Sequence, residues 1–286
     1  MPKTTDRSPA RRIPGAAPAW WDPLRDRVGR ARHLALLLDF DGTLAEIAAR
    51  PEEAVLEPEM RELLGRFLLR PGARVAIISG RGLEDLKRKV DREGCYLAGS
   101  HGLAVEGPDL RCVHPAAVRA EPALRRIARM LRAEISSLPG ALVEEKRYSV
   151  ACHYRMAPRA AVALAKAAVF RVAACESERA SAAGSGGWRI LRGKQVLEFL
   201  PRVAWSKSEC ADLLLAHFRS RLPEGETILP VAVGDDRTDL DLFSAIRGTG
   251  LSFAVGSRAA GGADWVLRGV AGVRELLAKL LDALPS

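Results

Sequence analysis

Two aspartates, Asp39 and Asp41, stand two positions apart in the string Asp39-Phe40-Asp41-Gly42-Thr43, directly after the aliphatic run 34–38. A carboxylate fixed beside a metal ion can attack phosphorus and form an acyl phosphate, which divides one difficult hydrolysis into two easier displacements. A second carboxylate two residues on can protonate the leaving alcohol and then deprotonate the attacking water. Gly42 lets the chain turn tightly there, and Thr43 offers donors to phosphoryl oxygens. The same string also occurs in ordinary turns whose carboxylates cap backbone amides, so alone it leaves both readings open.

A second acidic string, Gly234-Asp235-Asp236-Arg237-Thr238-Asp239, likewise follows an aliphatic run and opens a helical pattern. Asp235 and Asp239 can face one cleft. Magnesium prefers octahedral oxygen ligation and retains waters, so a few carboxylates from separate strand ends suit it. Helix capping accounts for one of these aspartates but hardly for three. An EF-hand loop is excluded, because its glycine and terminal Glu are missing from the required offsets. Between the two strings lie Ser79-Gly80-Arg81, after a run ending at Ile78, and Lys207, near the start of a later helix. A hydroxyl and an ammonium can each hold one phosphoryl oxygen. Taken singly, either is as readily a solvated surface residue.

Alternating β and α patterns place these residues. Short apolar runs at 33–40 and 74–79 alternate with helical patterns at 57–70 and 83–91, which is βαβ spacing. Such units build a parallel sheet that binds ligands beyond the carboxyl ends of its strands, where Asp39 and Ser79 fall. From residue 103 the texture changes to strand pairs at 103–105 and 110–113 and a helix at 121–138, with Leu124, Ile127, Leu131, Ile135 and Leu138 on one face. A segment at 142–155, a helix at 158–175 and a segment at 188–200 complete a small α+β insert, with the Ser-Ala-Gly stretch 180–187 as a loop. After Pro201 the alternation resumes with helices at 207–221, 239–247 and 273–281 and strands at 227–233, 251–255 and 264–267.

Asp39-Phe40-Asp41-Gly42-Thr43, Ser79, Lys207 and Gly234-Asp235-Asp236 resemble, in order, the four motifs of haloacid-dehalogenase-type phosphatases. A narrower resemblance rests on Ser79-Gly80-Arg81, Gly99-Ser100-His101-Gly102, Val143-Glu144-Glu145-Lys146, His153-Tyr154-Arg155, Val196-Leu197-Glu198 with Pro201, and Gly-Asp-Asp-Arg-Thr-Asp. Together these are similar to the trehalose-6-phosphate phosphatase family, from residue 34 to residue 281. The family's usual Gly after the motif lysine is Ser208 here, and its acidic residue after Thr-Asp is Leu240.

The resemblance implies Asp39 as nucleophile, Asp41 as general acid and base, and Thr43, Ser79 and Lys207 as phosphate contacts. It implies Mg2+ held by Asp39, Asp41 through its carbonyl, and Asp235, with Asp236 and Asp239 as supporting carboxylates. Arg81, Glu144, Lys146 and Glu198 would hold the substrate. The expected fold is α/β, a Rossmann-like parallel-sheet hydrolase core over 31–103 and 200–286 with an inserted α+β cap over 104–199. The implied reaction is hydrolysis of trehalose 6-phosphate. The alternatives are another phosphorylated glycoside such as glucosylglycerol phosphate, or a catalytically silent sugar-phosphate-binding domain, whose mark would be loss of Asp39 or Asp41.

Composition narrows the remaining classes. The chain has 286 residues, 48% of them hydrophobic, enough for one large domain or two modest ones. Its formal charge is +9, but residues 1–32 hold eight Lys or Arg against three Asp, so more than half of the excess lies at the N-terminus. Residues 1–30 are therefore expected to form a disordered basic tail rather than a nucleic-acid site, since no reader motif accompanies the charge. The five cysteines include no Cys-x-x-Cys pair, which argues against zinc or redox chemistry. No apolar run approaches bilayer length and no secretory signal pattern is seen, so a cytoplasmic protein is expected, a monomer acting on a small sugar phosphate without membrane or nucleic acid. His101 reads as a structural hydrogen-bonding residue, Trp20-Trp21 as a packing anchor, and 187–194 as a failed P-loop.

Overall fold

The computed structural model describes residues 11–12, 21–182 and 186–285. Its central sheet has nine strands. In spatial order they are β1 (Arg11–Arg12), β13 (Trp265–Leu267), β12 (Leu251–Val255), β11 (Ile228–Gly234), β2 (His33–Leu38), β3 (Ala73–Ile78), β4 (Tyr96–Gly99), β5 (Ala104–Glu106) and β6 (Arg111–Val113). Pairing is parallel from β1 to β4 and antiparallel through β5 and β6.

β2 is apolar from Leu34 to Leu38 because both faces of this sheet are covered. Leu34, Leu36 and Leu38 pack with residues of α1 (Asp22–Gly29), α2 (Pro58–Leu68), α3 (Leu83–Val90) and α8 (Gly269–Ala283). Ala35 and Leu37 face α6 (Lys207–Arg219) and α7 (Asp239–Ala245). The strand is thereby gripped from both sides and its carboxyl end is held still.

The cap carries α4 (Pro115–Ile135), β7 (Leu142–Lys146), β8 (Ser149–His153), α5 (Arg159–Ala182), β9 (Trp188–Gly193) and β10 (Val196–Pro201). Its four strands form an antiparallel sheet in the order β7-β8-β10-β9. Side chains alternate across a strand. Val143, Val150, Cys152, Leu197 and Phe199 pack under α4 and α5, which leaves Glu144, Lys146, Ser149 and Glu198 on the face toward the core domain.

Three expected boundaries move. The strands at 104–106 and 111–113 belong to the core, because Leu97 pairs with Glu106 and Val105 with Cys112 in the main sheet, so the cap begins at α4 rather than at 104. The expected tail over 1–30 runs too far: α1, opened by Pro23, buries Leu24 and Val28, and Trp21 packs beside them while Trp20 lies outside the described residues. The loop expected at 180–187 starts later, because α5 continues to Ala182. Among the described residues no helix is long and apolar enough to cross a membrane.

Candidate active site

β2, β3 and β11 end at one edge of the sheet, and each delivers one of the sequence strings there. Asp39 follows β2, and its amide donates to the Val233 carbonyl at 2.9 Å, which continues the ladder with β11. The chain then turns at Gly42, whose φ of +86° is one that side-chain-bearing residues avoid. A Cβ there would stand 1.9 Å from Asp235 Oδ2, so only glycine lets the two acidic strings meet.

Lys207 opens α6 behind a capping box of Ser206 and Glu209. It is buried, and its Nζ donates to Asp39 Oδ1 at 2.6 Å and to Asp239 Oδ1 at 2.7 Å. Burial alone would lower its pKa, but the Asp239 and Asp39 carboxylates outweigh this and raise it, so the ammonium is permanent. Asp239 uses its other oxygen to accept from the amides of Asp235 at 2.8 Å and Asp236 at 2.9 Å. Both of its oxygens are engaged, which fits a supporting carboxylate.

Burial, then the nearby Asp239 and Asp235, push the Asp39 pKa well up despite Lys207. Burial raises Asp235 to about 6, with Asp239 and Asp236 adding to it and Lys194 opposing. Burial is the largest cause for both carboxylates. Carboxylate oxygens of Asp39, Asp235 and Asp239 lie within 4.8 Å of one another, a donor set suited to a hard divalent cation. The Lys194 ammonium, from the turn between β9 and β10, contacts Asp235 Oδ2. Asp236 faces Arg258 at 3.6 Å.

Asp41 presents a carboxylate to the cavity and is gripped in a fork by Arg81, Nε to Oδ2 at 2.8 Å and Nη2 to Oδ1 at 2.6 Å. Arg81 also binds Asp85 at 2.7 Å and stacks over Phe40. The residue expected to hold substrate therefore orients the expected acid. Ser79 lines the cavity, and its Oγ accepts from the Arg81 amide at 3.2 Å. Thr43, expected as a phosphate contact, is instead fully buried, its Oγ1 unpartnered among the described residues, and it does not line the cavity.

Across the cavity the cap contributes a second polar cluster. Lys146 Nζ donates to Glu198 Oε1 at 2.8 Å, with Glu144 at 3.7 Å, and Glu144 takes His153 at 2.8 Å. Lys194 and Arg155 were not singled out as site residues from the sequence. Arg155 reaches the Ala48 carbonyl in the core and the Lys194 carbonyl at 3.1 Å in the cap, and both side chains line the cavity. A basic residue on a hairpin turn carries no spacing signal of its own.

The trehalose-phosphatase family profile matches residues 37–262. The chain belongs to that family. A trehalose-phosphate phosphatase of Mycobacterium tuberculosis strain H37Rv is 35% identical over 228 residues, 79% of this chain and 54% of the relative. An uncharacterized glycosyl hydrolase of the same strain is 36% identical over 230 residues, 80% of this chain and 16% of that protein. The chain thus spans about half or less of these relatives' lengths. Among solved structures, the C-terminal domain of Candida albicans trehalose-6-phosphate phosphatase superposes with a TM-score of 0.73 at 21% identity, covering 91% of this chain and 96% of that one. The C-terminal domain of the Candida albicans trehalose synthase regulatory protein superposes at 0.64 and 14% identity, covering 91% and 97%. The fold is therefore shared by a phosphatase domain and by the domain of a regulatory protein, and the site has to separate those roles. Ser208 and Leu240, the two departures from the family pattern, sit in a capped first turn and against the core respectively.

Proposed function

We propose that this chain is a Mg2+-dependent phosphatase that hydrolyses trehalose 6-phosphate to trehalose and phosphate, a step in trehalose biosynthesis, in the cytoplasm and as a monomer. The observation that carries the reading is one cavity with an Asp39–Lys207–Asp239 ion cluster on its core side and Glu144, Lys146 and Glu198 on its cap side. Phosphate chemistry and hydroxyl recognition face each other. The rival role of a silent sugar-phosphate-binding domain is disfavoured because Asp39 and Asp41 are both present.

In this reading Lys207 holds Asp39 Oδ1 and orients the other oxygen toward phosphorus. Asp39 Oδ2 forms the new P–O bond while the bond to the sugar oxygen breaks. Asp41, once it leaves the Arg81 fork and takes up a proton, gives that proton to the departing alkoxide. The resulting Asp41 carboxylate then takes a proton from water, the hydroxide attacks the aspartyl-phosphate, and Asp39 and inorganic phosphate are released. Mg2+ held by Asp39, Asp235 and the Asp41 carbonyl would neutralise charge between carboxylate and phosphoryl group. Asp239 and Asp236 fix the ligands, while Ser79 serves the phosphoryl oxygens and Thr43 supports the turn from beneath it.

The test is phosphate release from a panel that includes trehalose 6-phosphate, glucosylglycerol phosphate and glucose 6-phosphate, with and without Mg2+ and with Asp39→Asn as control. Trehalose 6-phosphate should be the best substrate, chelation should stop the reaction, Mg2+ should restore it, and Asp39→Asn should be inactive yet folded. Unchanged turnover after exhaustive chelation, or in Asp39→Asn, would remove the mechanism. A better rate on another sugar phosphate would remove the substrate.

A further inference from the structure

His101 occupies a backbone that its residue type disfavours. Ser100 and His101 have φ of +49° and +59° in succession, a left-handed pair that seldom occurs without glycine. Two bonds hold the turn in place. The Ser100 amide donates to the Arg81 carbonyl at 2.7 Å, and the His101 amide donates to the Ser79 carbonyl at 2.9 Å. The turn is thereby joined to the loop 79–81. A side chain on Gly80 would put its Cβ 2.8 Å from His101 Cε1, so the imidazole lies directly on that loop.

The ring reaches out of the core. His101 Nε2 meets Glu198 Oε2 of the cap at 3.0 Å. The other oxygen of Glu198 accepts from Lys146 Nζ at 2.8 Å and from Ser149 Oγ at 2.6 Å, both within the cap. Lys146 in turn donates to the Gly80 carbonyl at 2.8 Å. The contacts form a closed ring, Gly80 and His101 from the core, Glu198 and Lys146 from the cap. His101 Nδ1 is buried and unpartnered among the described residues, so local satisfaction of the imidazole does not account for its place. A strained residue kept at a domain junction argues for a role there rather than for stability.

We propose that His101 is a positioning residue: from the core it holds the cap carboxylate Glu198, and through it Lys146, in register with the Ser79-Gly80-Arg81 loop, so that sugar recognition is assembled only when the cap is docked. This rests on the reading that Glu198 and Lys146 face the sugar. Without His101, Glu198 keeps its bonds inside the cap but loses its bond to the core.

Three substitutions separate the possibilities. His101→Ala removes the contact, His101→Asn tolerates the left-handed backbone but falls short of Glu198, and His101→Gln carries an amide long enough to reach it. The rates to compare are kcat/KM on trehalose 6-phosphate and on p-nitrophenyl phosphate, which has no sugar to recognise. Ala and Asn should lose at least about tenfold on the sugar phosphate and less than about threefold on the aryl phosphate, with Gln recovering most of the loss. Equal losses on both substrates, or none on the sugar phosphate, would overturn the proposal. If the wild-type protein itself shows no preference for trehalose 6-phosphate, it is the proposed substrate that fails. Hydrogen exchange then judges the docking role. Exchange at 79–81 and 196–201 should quicken in His101→Ala relative to 33–38, and an unchanged pattern would overturn it.

Discussion

Lys207→Met isolates the positive charge at the floor of the site. The lysine side chain is 2% exposed, with its ammonium 2.6 Å from Asp39 and 2.7 Å from Asp239. Methionine keeps most of the volume, so the cavity contribution is small and the change is mainly electrostatic. Removing one partner from a buried ion pair costs about 3–5 kcal/mol, because a desolvated charge is left behind. Two carboxylates share this lysine, and the Asp39 pKa is already raised with it in place. Equilibrium urea unfolding of metal-free protein at pH 7 should therefore show a loss of about 3–5 kcal/mol, a large part of the roughly 5–15 kcal/mol of a typical protein. Adding Asp39→Asn replaces one orphaned carboxylate with a neutral amide of the same shape. The double variant should accordingly be more stable than Lys207→Met alone, with unchanged denaturant slopes. A Lys207→Met loss below about 1 kcal/mol, or a double variant less stable than the single, would refute the charge argument.

Glu198 is buried, yet Lys146 and His101 hold its pKa well below the ordinary 4.5. A depressed carboxylate stabilises above its unfolded value and loses that contribution as pH falls below it. Thermal midpoints of the wild type should thus fall more steeply below pH 4.5 than those of Glu198→Gln, and parallel curves would argue against the pairing. Burial pushes the thiols of Cys95 and Cys210 up to about 12 and that of Cys152 up to about 11. Native protein at pH 8 should therefore expose at most the two half-buried thiols, Cys112 and Cys175, to a disulfide reagent, and all five once unfolded. Gly42→Ala combines a left-handed backbone with a Cβ driven into Asp235, so it should abolish turnover and lower stability by about 1–3 kcal/mol, read by denaturation.

What was legible in the sequence follows from which forces act locally. The aliphatic run 34–38 ending in Asp-x-Asp-Gly, and the second run ending in Gly-Asp-Asp, mark strand ends directly, because a strand buried on both faces has no room for polar residues. Glu144 and Lys146 lie on one face through the strand period alone, and the structure puts both beside the cavity. The strands at 104–106 and 111–113 could not be assigned to core or cap from pattern, since that depends on which edge they pair with, and β4 supplies it. Arg81 was expected to hold substrate, but only geometry reveals the fork that ties it to Asp41. His101 was read as a structural residue, and its bond to Glu198 spans 97 positions of chain, beyond any local pattern.

The charges around the cavity explain why such a site needs something the protein chain does not provide. Asp39, Asp41, Asp85, Asp235, Asp236 and Asp239 are paired with Lys194, Lys207, Arg81, Arg88 and Arg258, six carboxylates against five cations. The negative charge left over is what a divalent cation would offset in the proposed reading, and burial first, with the neighbouring aspartates adding to it, raises the pKa values of Asp39 and Asp235. A phosphate dianion entering without the metal would deepen it. Adding lysines to the core would remove the deficit but would also bind Asp39, the carboxylate proposed to attack phosphorus. One of the cations, Lys194, comes from the cap and contacts Asp235 across the cavity. The core then keeps a low-coordinate acidic pocket open to a metal ion. The cap brings Lys194, Lys146 and the proposed sugar-binding carboxylates Glu144 and Glu198 together over the same cavity.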